Sequence, residues 1–158
     1  MLQQPLAPAP DRRQSDTALA VARGTRRLLA GLGFASVSEL TLASGRRADI
    51  VALAEDGDVW IVEVKSSVQD LRADAKWPHY RMHCDRLLFA IPAHVPARLV
   101  PLEAGLILAD PYGAELVREA PEHRLAPATR KAMLLRFARA AAGRLHALAD
   151  PEAAGGLA

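Results

Sequence analysis

The chain of 158 residues has a single cysteine, so no internal disulfide can staple it, and its aromatic content is only 4%. One thiol fits a reducing compartment, and the core has to come mainly from aliphatic side chains. Met1 to Arg13 holds no apolar core of the length a signal peptide needs, and no uncharged stretch approaches the roughly 20 residues of a membrane span. These absences predict a soluble, cytoplasmic protein with no membrane partner. No Gly-Lys phosphate loop is present, which argues against a nucleotide-driven motor. No Gly-x-Ser-x-Gly surrounds Ser66 and Ser67, which argues against a serine hydrolase. The formal net charge of +2 and a pI near 9.0 permit a nucleic-acid partner without requiring one.

What is present is 51% hydrophobic residues, enough for one domain with a real core. Residues 1–13, with Pro5, Pro8 and Pro10, read as a disordered tail, 14–148 as the domain, and 149–158 as a flexible C-terminal tail. Ser15 is a good N-cap for a helix to about Leu32, ended by Gly31 or Gly33, with Leu19, Ala22, Thr25, Leu28, Leu29 and Leu32 as its inner stripe. Phe34 to Leu42, Arg47 to Leu53, Asp58 to Ser66, Arg86 to Ile91, Gly105 to Leu108 and Glu115 to Arg118 read as strands. Ser67 to Lys76 reads as a short helix and residues 127–147 as a long final one. On that last helix Leu134, Phe137, Ala141, Leu145 and Leu148 form the apolar stripe, while Arg130, Lys131, Arg136, Arg139 and Arg144 spread over a solvated outside.

Asp49, Glu63 and Lys65 are spaced Asp-x13-Glu-x-Lys across two apolar strands whose only intervening turn signal is Glu55-Asp56-Gly57. Loop length decides whether the acids can meet. A two-residue Asp-Gly turn would pair Asp49 with Val64 and send Asp49 and Glu63 to opposite faces. A three-residue loop ending in a left-handed Gly57 pairs Ala54 with Asp58, and so Asp49 with Glu63; glycine in the last loop position favours this form. Two carboxylates and the Val64 carbonyl then suit a hard ion such as Mg²⁺ or Mn²⁺, which takes oxygen ligands and keeps several waters. Lys65 is placed to orient a nucleophile or offset charge on a phosphate. The bland alternative is a solvated cross-strand ion pair, but the apolar residues around Glu63 and Lys65 make them interruptions of a buried strand.

The segment resembles the PD-(D/E)XK nuclease superfamily. The longer run Glu63-Val64-Lys65-Ser66-Ser67, Asp70, Asp74, Lys76-Trp77, Tyr80, Cys84-Asp85 resembles the MmcB family of bacterial DNA repair proteins, over about residues 15 to 147. The resemblance implies an α/β (α+β) fold with a restriction-endonuclease-like core: a first helix, a mixed central sheet opening with a three-stranded meander, a helix after the Glu-x-Lys strand, and further strands. It also implies DNA as partner and a role in DNA damage repair. Ala48 stands where the superfamily has proline. The glutamate that many relatives carry on the first helix has no counterpart, since Asp16 is the only acid between Ser15 and Gly33.

Arg46 and Arg47 enter the strand of Asp49 and are candidates for DNA phosphate. Lys76 and Tyr80 are open between DNA contact and packing, Trp77 is expected to pack, and Arg72 and Arg81 lie just beyond the far end of the site. Asp70 and Asp74 are open between hydrogen bonds at the site and the outer face of their helix. Zinc is not expected on His79, His83 and Cys84, because no fourth ligand has a recognisable spacing, and Cys84 reads as a small buried residue. Three readings follow: a metal-dependent DNA endonuclease acting on damaged or branched DNA, a DNA-binding repair accessory with little cleavage, and a structural domain. The sequence leaves the oligomeric state, a homodimer included, open.

Overall fold

The computed structural model describes residues 15–156; the expected tail over residues 1–13 lies outside them. Three α-helices, Asp16–Gly31 (α1), Val68–Ala73 (α2) and Pro127–Ala149 (α3), pack on a sheet of six strands: Ala35–Thr41 (β1), Arg47–Leu53 (β2), Val59–Val64 (β3), Arg86–Ile91 (β4), Gly105–Ala109 (β5) and Ala114–Arg118 (β6). The strands lie in sequence order. β1, β2 and β3 form an antiparallel meander, β4 and β5 add in parallel, and β6 closes the far edge antiparallel. The architecture is the mixed, helix-flanked sheet expected from the sequence.

Strands in the middle of such a sheet are covered on both faces and therefore read as continuous apolar runs. Alternate residues go to opposite layers. Ile50, Ala52, Val62, Val64, Leu88 and Ala90 pack with Val21 and Leu29 of α1. Val51, Val59, Ile61 and Leu87 pack with Cys84, Leu125 and Met133 on the α3 side. A third cluster around Phe89 and Ile91 lies under α2.

α1 begins as expected, with the Ser15 side chain accepting the Ala18 N–H, and Gly33 beyond its end has a φ of 88°. Its buried face differs: Val21, Gly24, Thr25 and Leu29 point inward, whereas Leu19 and Leu32 are each 51% exposed. The cause is Gly24, where a Cβ would overlap the carbonyl oxygens of Asp110 and Gly113. A helix that comes so close to a loop backbone turns its glycine, not its largest side chains, toward the contact.

α3 departs from expectation in the same way. Met133 is buried and Leu134, Phe137, Ala140 and Ala141 pack beside it, but Leu145 and Leu148 are 68% and 81% exposed because the helix runs past the sheet. Its arginines are not simply a solvated face. Arg130 is bound to Asp85, and Arg144 and Arg136 donate to carbonyls of β1. The short helix expected to Lys76 stops at Ala73, and a 3-10 helix follows over Trp77–His83. A further 3-10 turn, Pro151–Gly156, occupies part of the expected C-terminal tail.

Candidate active site

The hairpin decides the site. Ala54 N–H donates to the Asp58 carbonyl at 2.9 Å, Gly57 N–H to the Ala54 carbonyl at 3.0 Å, and Gly57 has a φ of 95°. This is the three-residue loop with left-handed glycine. The resulting register runs from Leu53 opposite Val59 to Ile50 opposite Val62. One step further, Asp49 meets Glu63.

There the ladder opens. The Asp49 N–H donates to Glu63 Oε1 at 3.2 Å, and the Val64 N–H donates to Asp49 Oδ2 at 2.8 Å. Each carboxylate thus takes an N–H of the other strand, where a continuous ladder would use backbone carbonyls. Among the described residues, the second oxygen of each acid accepts no backbone N–H and no basic side chain, and the two carboxyl groups lie within hydrogen-bonding reach of each other. Glu63 is only 3% exposed. Burial pushes its carboxyl up to about 8, with the neighbouring Asp49 charge adding to the effect. Asp49 is raised too, first by burial, against the opposing pull of the Val64 N–H and Lys65. Two acids so placed keep less than two full charges, and a cation between them would relieve both costs.

Lys65 follows on β3's extension and is 8% exposed. Its ammonium lies 2.7 Å from Asp74 just beyond α2. Burial alone would lower the Lys65 pKa, but the hydrogen bond and charge of Asp74 outweigh it, so Lys65 stays protonated. The same contact holds Asp74 below its ordinary value against the upward push of burial. Of the two acids left open by the sequence, Asp74 therefore faces the site, while Asp70 caps the local turn by accepting the Ser66 N–H at 3.0 Å. α2 starts where it does because Ser67 accepts the Asp70 N–H at 3.1 Å.

The 3-10 helix supplies Tyr80, which nothing in the apolar periodicity could foresee. Its hydroxyl donates to the Arg47 carbonyl at 3.0 Å. Burial, with the nearby Glu63 and Asp49 charges, pushes its pKa up to about 12. Trp77 packs edge-on against Phe89, as expected. Arg81 lies over Trp77 and donates to the Glu103 carbonyl. Arg47 is exposed and pairs loosely with Glu39 at 3.7 Å. Arg46 is half-buried, and Arg72 and Lys76 are exposed.

The donor set suits one hard ion. Two carboxylates with unclaimed oxygens, and the Val64 carbonyl beside them, are oxygen ligands of the kind that magnesium and manganese take. Among the described residues no group of three or more His, Cys, Asp or Glu side chains is arranged for a metal, so any further positions would fall to water and phosphate. His79 is exposed, and Cys84 is buried with its thiol on the Tyr80 carbonyl.

Asp85 is the structural residue that sequence reasoning passed over. It is fully buried at the mouth of β4, accepts the Val59 and Leu125 N–H groups at 2.8 and 2.9 Å, and takes Arg130 Nη2 at 2.6 Å. Its sequence signals were an acid directly before an apolar strand and the Cys84-Asp85 end of the run that carries the family resemblance.

Among the described residues no helix is long and apolar enough to cross a membrane. No curated protein matches the chain. The solved structure of SPO1766, a protein of unknown function from Silicibacter pomeroyi, superposes with a TM-score of 0.85 at 46% identity, covering 92% of this chain and 98% of that one. The family model for the DNA repair protein MmcB-like matches residues 5–152. The chain therefore belongs to the MmcB-like family of DNA repair proteins.

Proposed function

We propose that the chain is a metal-dependent deoxyribonuclease of the PD-(D/E)XK type, acting in DNA repair on damaged or branched DNA in the cytoplasm. The observation that carries this reading is the opened ladder: the buried carboxylate of Glu63 and the half-buried one of Asp49 meet across β3 and β2, and each keeps an oxygen that no backbone or basic group claims. Asp49 and Glu63 would hold Mg²⁺ or Mn²⁺ with the Val64 carbonyl. A bound ion would supply a Lewis acid for the phosphate and a water of lowered pKa.

The chain's own side chains do the rest. Lys65, kept charged by Asp74, offsets negative charge on the phosphate; a lysine so paired is a poor proton acceptor. Asp74 is a positioning residue for that ammonium. Tyr80 fixes the Arg47 carbonyl and with it the entry of β2, while Arg46, Arg47 and Lys76 meet flanking phosphates.

A second reading, a repair accessory that binds DNA with little cleavage, is favoured by one feature: α1 brings no acid to the centre, since its only acid is Asp16 at the far N-terminus. The two are separated by incubating nicked, flapped, crosslinked and single-stranded DNA with the protein in Mg²⁺, Mn²⁺ or chelator. The nuclease reading expects metal-dependent cleavage that Asp49→Ala, Glu63→Ala and Lys65→Ala each abolish. Binding without cleavage supports the accessory.

A further inference from the structure

A cleft of about 730 Å³ lies between α1 and β1 and reaches Asp49. Its α1 wall carries Arg23, Arg26 and Arg27, and its β1 wall carries Ser36, Ser38 and Glu39, whose carboxylate lies 3.7 Å from Arg47. The arginines stand at positions i, i+3 and i+4, so one helix face presents all three. Among the described residues none of them is ion-paired with a carboxylate.

Two of these guanidinium groups are also fixed in place. Arg26 Nε donates to the Ser36 hydroxyl at 3.0 Å and its Nη2 to the Ser36 carbonyl at 3.1 Å. Arg27 Nη1 donates to the Tyr112 carbonyl at 3.0 Å. An arginine that serves only solubility keeps its rotamer freedom. These give it up for bonds to neutral oxygens, which holds positive charge beside the cleft without cancelling it. Phe34 adds an aromatic wall, its ring tilted at 47° to that of Trp60 with centres 4.5 Å apart. Fixed, uncompensated cations beside an aromatic surface form the usual combination for a single nucleic-acid strand.

We propose that this cleft is the track for one strand of DNA, with the α1 arginines gripping successive phosphates and leading the strand to Asp49. The direction of the track rests on the nuclease reading of the Asp49 and Glu63 pair, but the grip on phosphate needs no metal.

The test is fluorescence anisotropy of a labelled single-stranded oligonucleotide, measured in chelator over a range of salt. Arg23→Gln/Arg26→Gln/Arg27→Gln should bind at least tenfold more weakly than wild type. Its log–log salt slope should be shallower by about 2, since each single-strand phosphate contact contributes about 0.7. The corresponding triple lysine variant should recover most of that slope. Arg98→Ala, on an exposed segment away from the cleft, should bind as wild type does.

Should the triple glutamine variant fail to fold, Arg23→Gln alone serves, because the Arg23 side chain makes no hydrogen bond among the described residues; its slope should fall by about 0.7. Affinity within twofold of wild type together with an unchanged salt slope would overturn the proposal. So would a loss confined to phosphatidylserine vesicles with oligonucleotide binding intact. Wild-type protein that binds through these arginines but never cleaves refutes the nuclease reading and leaves the track standing. Cleavage with arginine-independent binding does the reverse.

Discussion

Two buried acidic centres sit on the same sheet and are built in opposite ways. At Asp85 both oxygens are used: Oδ2 takes the Val59 N–H and Arg130 Nη1, each at 2.8 Å, and Oδ1 takes the Leu125 N–H at 2.9 Å and Arg130 Nη2 at 2.6 Å. Burial would raise this carboxyl, but Arg130 and the backbone donors hold it below its ordinary value. At Asp49 and Glu63 each acid takes one N–H, and burial drives both pKa values up. A saturated acid holds structure together. An acid left with a free oxygen costs stability and is ready to bind something.

The largest effect that sharpens this contrast is on stability. Asp85→Ala strands the Arg130 charge and should cost about 3–5 kcal/mol in urea unfolding. A loss below about 1 kcal/mol would mean that Arg130 finds another partner, and the contrast would break.

The same pair shapes the acid limb of stability. Because the folded pKa of Asp85 is depressed, its contribution is complete above the unfolded value near 3.8 and is lost as pH falls through the folded value. Thermal melts of Asp85→Asn between pH 5 and 2 should therefore lose less stability on acidification than wild type. An equally steep decline would place the acid sensitivity elsewhere.

Ligand linkage is the next effect in size. Mg²⁺ at one hundred times its Kd should stabilise wild type by about 2.7 kcal/mol and leave Asp49→Asn unchanged. Equal stabilisation of both would point to an ion held away from the opened ladder.

The smallest effect is on the unliganded working acids. In chelator, Asp49→Asn and Glu63→Gln should each stay within about 1 kcal/mol of wild type, since either change removes repulsion as well as a hydrogen bond. A loss as large as that of Asp85→Ala would make this pair structural too.

Much of the fold was legible because strand chemistry is local. The Gly57 loop fixed the register of β2 on β3, and apolar runs marked β3, β4 and β5 as covered on both faces. The candidate acids and lysine were readable from spacing plus that loop. What the sequence hid depends on contacts far along the chain. The inward face of α1 turns on Gly24 meeting the loop at Asp110, and the exposed end of α3 on where the sheet stops. Asp74 and Tyr80 were candidates in the sequence, but their partners, Lys65 and the Arg47 carbonyl, were not legible, because the 68–83 segment with its 3-10 geometry leaves no simple periodicity. Arg130 meets Asp85 from 45 residues away, so neither could be recognised as half of a pair.

The most direct test of the central claim is calorimetric titration of Mn²⁺ into wild type and into Asp49→Asn and Glu63→Gln, at low ionic strength and neutral pH. The opened carboxylate pair predicts one ion per chain in wild type and none in either variant. No binding to wild type, or the same binding in all three, would contradict it.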